Sequence, residues 1–377
     1  MMKPTMAQPD LCQKRNLGID ALRIVAMLLI AIVHIYNRGG VASQLGGSTA
    51  LAFQLNYPLR LLCYTAVDLD ALISGYVMLE GRFRPARFLE LWLQVVAIGL
   101  VECLIWSFFA PSGTVTFQTW LTALLPVTQY EYWYFTAYAG VFLLSPLLNR
   151  GLRSLNERQA RALLYALFGL FCVGWLLGKL MDHDSFHLGG GYTTLWLLVL
   201  YLLGACVKQG GLFRSMPSWR LHLCALLCIS TSWLLRNFLF LQALPEQVRD
   251  WGGLVLNYCS PLLVLFSLCE LVLFSRLRLR GFAADAVRWL SPLTFGVYLI
   301  HVHPAVWSLL ENLYVPLGKL PAWWILPAVA ASGVGLLLCC SLLDWLRSLI
   351  FRLLRVRKLC DAAEARVVRL WRQQKRA

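Results

Sequence analysis

Ten apolar stretches, separated by short polar segments, divide the chain, and each is long enough to cross or nearly cross a bilayer as a helix. They fall near 19–37, 58–79, 88–109, 131–149, 160–181, 192–208, 219–241, 251–274, 289–310 and 323–346. The pattern predicts an all-α fold: a polytopic membrane helix bundle of about ten transmembrane helices. Beyond 346 the pattern changes. Val356, Leu359, Ala363, Val367 and Leu370 recur at helical spacing among Arg and Lys. That predicts a basic amphipathic helix, continuing from Asp344 and lying on the membrane surface. The chain is thus expected to divide into an N-terminal segment 1–16, a transmembrane domain 17–346 and a tail 347–377.

The loops between the stretches alternate in charge. One set carries Arg82, Arg84 and Arg87; then Arg150, Arg153, Arg158 and Arg161; then Lys208, Arg214 and Arg220; then Arg276, Arg278, Arg280 and Arg288. The other set is nearly free of positive charge. Basic loops face the cytoplasm, so both termini are expected there, in a cell inner (plasma) membrane. Composition agrees: 59% of residues are hydrophobic and only 14% charged. The net charge of +15 is spread over loops and tail, which points to membrane lipid and orientation and not to nucleic acid. The start of the chain lacks the apolar core and small-residue cleavage site of a signal peptide. Most of the twelve cysteines sit inside apolar runs, where Cys acts as a small hydrophobe, and no Cys/His spacing suggests a metal site. His183 and His187 read as part of a solvated turn, since no third ligand is evident. No oligomeric state follows from these patterns.

The first apolar stretch carries the most unusual chemistry. Asp20, Arg23 and His34 interrupt an otherwise aliphatic helix. Arg23 and His34 are eleven residues apart, about 20° past three full turns, so they share one helix face about 16 Å apart along the axis. Asp20 is placed one turn before Arg23 and able to pair with it. Polar groups stacked on one side of a membrane helix face a protein interior or a wet cavity. Further polar residues at apolar depth are Asp68, Asp70, Ser74, Glu102, Arg236 and Glu270. Each suits a cavity or an ion pair that holds the bundle together. Asp68 and Asp70, two apart, do not share a helical face. In the ninth stretch Tyr298 and His301 share a face while His303 points elsewhere, and His301 lies at a depth similar to His34.

Several of these stretches, in order, resemble one family. IDALRIVAMLLIAIVH is similar to the opening helix of the integral-membrane acyltransferase 3 family, with Arg23 and His34 at the family's basic and histidine positions and Asp20 at its acidic one. VDLDALISGYVML resembles its second motif at Asp68, Ser74 and Gly75, although Asp70-Ala71 replaces the usual aromatic pair. LSPLTFGVYLIHVHP is similar to its late helix, matching at Tyr298 and His301. EYWYFTAYAGVFLLSPLLN is a softer match, with Glu131 where many relatives have a polar residue. The closest look is to enterobacterial-common-antigen and exopolysaccharide O-acetyltransferases.

The resemblance implies an O-acyltransferase with acyl-CoA, usually acetyl-CoA, as donor co-substrate, no tightly bound cofactor, and a glycan or lipid-linked oligosaccharide as acceptor. The residues suit that chemistry. A base must take the hydroxyl proton, and His34, an imidazole, fits that task. Arg23, oriented by Asp20, is a candidate for a CoA phosphate. Tyr298 or His301 is placed to donate to the carbonyl oxygen as charge develops there. Direct transfer and an acyl-histidine intermediate both remain open. Asp68, Ser74, Glu131 and Arg236 are further cavity or substrate candidates. A competing reading is a transporter or flippase with His34 and His301 relaying protons; the lack of an evident inverted repeat counts against it.

Overall fold

A computed structural model describes residues 15–109, 115–241 and 246–374. Most of the expected N-terminal segment, all but Arg15 and Asn16, lies outside the described residues. Among the described residues the fold is all-helical. The first helix, α1 (Leu17–Asn37), begins where Asn16 caps it, accepting from the backbone N–H of Gly18 at 3.0 Å. The same side chain donates to the carbonyl of Ser275 at 2.8 Å, which anchors the helix start to the bundle. Next come α2 (Leu51–Cys63) and α3 (Ala66–Met78), one span broken at Tyr64-Thr65, and then α4 (Pro85–Phe109).

Helices stand at all ten expected positions, but their lengths differ. Among the described residues six spans are individually long and apolar enough to cross a bilayer: Leu17–Asn37, Leu51–Met78, Pro85–Phe109, Glu157–Leu180, Ser218–Phe240 and Ala322–Leu353. A seventh arises if Gly281–Val302 and Pro304–Gly318, bent by 72°, count as one. Thr194–Gly210 and Pro261–Arg276 have 17 and 16 residues, about 25 Å of helix, a little short of the hydrocarbon core. The expected helix over 251–274 is in fact two, Glu246–Leu254 and Pro261–Arg276, parted before Pro261. The expected helix over 289–310 breaks at His303-Pro304, where Pro lacks the N–H that would continue it.

α1 is the hub. It touches α2, α3, Pro261–Arg276, Gly281–Leu290, Thr294–Val302 and Ala322–Leu353. Beside it, α3 packs on Thr194–Gly210 with backbone against backbone. A Cβ on Gly75 would lie 1.8 Å from the Tyr201 carbonyl oxygen, and one on Gly204 would lie 2.0 Å from that of Leu72. Only paired glycines allow this approach, the small-residue packing typical of membrane helices. The end of α3 is then held by Trp133–Arg153: Asn149 Nδ2 donates to the Met78 carbonyl at 2.9 Å and Arg153 Nε to that of Leu79 at 2.6 Å. These bonds satisfy carbonyls that a helix C-terminus leaves open, and they fix the loop that carries Arg82 and Arg84.

The expected basic helix of the tail is present as Val356–Gln374, but it starts later than expected. Asp344 is not the start of a surface helix but is fully buried, held by Gln94 Nε2 at 3.1 Å and by both ends of the Arg347 fork at 2.7 and 2.9 Å. Ala322–Leu353 runs on past it; the chain reverses at Arg355, which has positive φ, and a separate helix Val356–Gln374 follows.

Gly75→Ala and Gly204→Ala should each destabilise the protein by about 1–3 kcal/mol through overpacking. Gly151→Ala, with no atom within 4 Å of the added Cβ, should leave the melting temperature in detergent unchanged. Equal melting for all three variants would show that the close approach is not required.

Candidate active site

The face predicted on α1 opens onto a cavity of about 830 Å³, a volume typical of ligand sites. Asp20, Arg23, Met27, Ile30 and His34 line it at helical spacing. At one end stand Arg15, Arg82, Arg84, Arg87 and Arg357. The other end is marked by Trp133 and Tyr192, each at the start of a helix whose opposite end holds the arginine-bearing loop: Lys208, near the end of Thr194–Gly210, pairs with Glu80 at 2.7 Å. Trp133, Tyr192 and Tyr258 form an aromatic wall there, with ring centroids 4.7 and 5.2 Å apart. The cavity therefore runs from a cationic mouth to an aromatic end, with Arg23 near the first and His34 nearer the second.

The side-chain depth shared by His34 and His301 becomes direct contact. His34 Nδ1 and His301 Nε2 are 3.0 Å apart, and His301 Nδ1 is 2.5 Å from the Val297 carbonyl oxygen. The carbonyl only accepts, so His301 carries its proton on Nδ1 and its Nε2 accepts from His34 Nδ1–H. By elimination the unprotonated nitrogen of the neutral pair is His34 Nε2. His301 is fully buried and does not line the cavity; His34 does. The break at His303-Pro304 supplies a third contact: the short helix it starts returns Trp307 to His34, edge to face at 4.7 Å. Arg38 holds that turn by donating to the Trp307 carbonyl at 3.2 Å and to Glu311 at 2.6 Å.

Asp20 is shared. It pairs closely with Arg15, lies 3.7 Å from Arg23 Nη1 and accepts from Ser291 Oγ at 3.2 Å. Tyr298 lines the cavity, and its buried hydroxyl has no hydrogen-bond partner among the described residues. Ser74 lines it too, but its hydroxyl donates to the Asp70 carbonyl at 2.9 Å.

Three of the further candidates lie elsewhere. Asp68 is fully buried in the bundle core, accepting from Trp196 Nε1 at 3.3 Å, while its neighbour Asp70 faces the cavity. Arg236 is stacked on Phe53, Phe240 and Tyr57 at 4.2, 4.3 and 4.6 Å, a cation held by aromatic faces. Glu131 belongs to a polar cluster in which His303 pairs with Glu102 and lies 4.0 Å from Glu131. In the sequence Arg82, Arg84 and Arg87 carry the signal of orientation and lipid contact; the Arg84-Pro85-Ala86-Arg87 spacing at a helix start is the available signal for the mouth. Trp307 and Arg357 carry none, since one depends on the 72° bend at His303-Pro304 and the other on the reversal at Arg355.

Fold and site together define a membrane helix bundle whose cavity joins a cationic mouth to the half-buried imidazole of His34. The family model described as an acyltransferase domain, acyltransferase 3, matches residues 16–344, and the chain belongs to that family. It is a membrane acyltransferase. No curated protein and no solved structure matches it significantly.

Asp68→Asn keeps an acceptor for Trp196 and should leave stability nearly unchanged. Asp68→Leu orphans a buried donor and should cost about 1–3 kcal/mol. Melting curves of both variants, with donor affinity as a second readout, check the assignment; a loss of donor affinity in Asp68→Asn at unchanged melting would return Asp68 to the site.

Proposed function

We propose that this acyltransferase moves an acyl group, acetyl by the family's usual chemistry, from acyl-CoA to a hydroxyl of a surface polysaccharide or lipid-linked glycan precursor. The observation that carries this reading is one cavity with arginines at its mouth and an imidazole, His34, whose free nitrogen is set by a second imidazole. The arginines suit the nucleotide phosphates as charge-assisted donors. Arg23 is the deepest of them, and the pantetheine arm spans the stretch of about 16 Å from it to His34.

In the reaction we infer, His34 Nε2 takes the acceptor hydroxyl proton, and the alkoxide oxygen attacks the thioester carbon. As negative charge develops on the carbonyl oxygen, the partnerless Tyr298 hydroxyl donates to it. The C–S bond breaks, and the proton returns from His34 to the CoA thiolate. His301 is a positioning residue: its Nε2 accepts from His34 Nδ1–H, which holds the ring and stabilises the imidazolium. That commitment leaves His301 without a proton for the carbonyl oxygen, so the donor role falls to Tyr298.

His34→Ala should abolish turnover while CoA binding persists. Arg23→Ala should weaken donor affinity by roughly 1.5–3 kcal/mol, the range of a hydrogen bond to a charged group. His301→Gln, which keeps an acceptor for His34, should retain more activity than His301→Leu. Acetyl-CoA consumption and CoA titration on purified protein decide this; near-normal acetylation by His34→Ala would remove the base assignment.

In the orientation we propose, ten crossings leave both termini and the arginine mouth on the cytoplasmic side of the plasma membrane, where CoA is made. The acceptor then enters at the aromatic end, whose rings and hydroxyls suit a sugar. Vesicles of known orientation test this: acetyl-CoA confined to the mouth side should support modification of acceptor confined to the other. Product formed only with both on the mouth side would overturn the two-sided arrangement.

A further inference from the structure

The family match ends at Asp344, yet the cavity mouth includes a side chain from beyond it. After the reversal at Arg355 the helix Val356–Gln374 folds back along the start of α4. Two contacts seat it there. Arg84 Nη2 donates to Asp361 Oδ1 at 2.8 Å, and the backbone N–H of Ala86 donates to Glu364 Oε2 at 3.1 Å. The second is a carboxylate on one of the open N–H groups of a helix N-terminus, a position favoured by both hydrogen bonding and dipole. Cys360 is 2% exposed, so the seam is packed as well as paired.

Arg357 lies four residues before Asp361 and seven before Glu364, on the same face of the helix. It therefore reaches the mouth beside Arg82, Arg84 and Arg87. Arg84 already spends its charge on Asp361, whereas the Arg357 side chain makes no hydrogen bond or ion pair to any described residue. The tail thus withdraws one cation from the mouth and supplies another that lines the opening without a partner among the described residues. Arg366, on the same helix and also exposed, is not among the residues that line it.

We propose that Arg357 is a donor-binding residue, and that the tail helix is a wall of the nucleotide-phosphate site supplied from outside the family domain. This rests on the acyl-CoA reading above. Its chemistry is that of a guanidinium on a phosphate, with CoA as the source. The alternative for an exposed Arg on a basic helix is a lipid headgroup, and the probes below separate the two.

The test is equilibrium binding of CoA and of pantetheine, which lacks the nucleotide and its phosphates, to the purified full-length protein in neutral detergent. Arg357→Ala should weaken CoA binding about ten-fold, the size of one charge-assisted contact. It should leave pantetheine binding unchanged, and Arg357→Lys should keep most of the CoA affinity. Arg366→Ala should change neither. Because Arg357 and Arg366 are both exposed, neither substitution disturbs the packed seam. Unchanged CoA affinity in Arg357→Ala would overturn the proposal, as would an equal loss in Arg366→Ala, which would show only diffuse charge. Wild-type protein that binds pantetheine and CoA equally would overturn the phosphate site altogether. Wild-type protein that binds no CoA would overturn the donor reading itself, and the proposal with it.

Discussion

Two imidazoles 3.0 Å apart tie the first helix of this protein to its late, broken helix. The bond has a direction because the Val297 carbonyl is fixed: it claims the proton of His301 Nδ1 and so decides which nitrogen of His34 is left bare. A helical carbonyl four residues back along the chain is a rigid reference, and the tautomer of a ring two bonds away inherits that rigidity. Trp307 abuts the His34 ring edge to face, and α3, held against Thr194–Gly210 by its glycine contact, lines the same cavity with Asp70 and Ser74.

The remaining polar groups at apolar depth divide by whether they found a protein partner. Asp68 with Trp196, Asp344 with Arg347 and Gln94, and His303 with Glu102 are paired inside the bundle. Arg236 is stacked against rings. Such pairs hold helices together where lipid offers no hydrogen bonds. Asp70 instead faces the cavity, as do Arg23 and His34, whose pairing with Asp20 and His301 still leaves the His34 Nε2 and part of the Arg23 guanidinium open to it. In a membrane protein this division does what burial does in a soluble one: it separates structural polarity from polarity left for a ligand.

Much of this was legible in the sequence because a helix converts spacing into direction. The Arg23–His34 interval places both on one face without knowledge of any neighbour, and the cavity confirms that face. The meeting of His34 and His301 was legible only as matching depth, since lateral position depends on packing. Asp68 and Asp70 show the limit most plainly. Residues two positions apart on a helix are about 200° apart around it, so only one of them faces the cavity, and motif resemblance pointed to Asp68 where the packing presents Asp70. Glu131 and Arg236 were equally compatible with a site and with packing, and nothing short of their neighbours decides between these. Arg357 was invisible for a different reason: its place at the mouth follows from a reversal at Arg355, a non-glycine residue with positive φ.

The placement of Arg23 and His34 on one unbroken helix has a consequence for how this chain can vary. Substitutions along α1 change one contact at a time, but an insertion or deletion between the two changes their relation as a whole. One added residue turns His34 by about 100° and swings it off the cavity wall, while lengthening the interval by only about 1.5 Å. Four added residues restore the face to within about 40°, at the expense of some 6 Å more reach. The interval therefore behaves like a ratchet with teeth roughly one turn apart. Lengths between the teeth lose the histidine altogether, and the next tooth in either direction presents it to a donor arm of the wrong length.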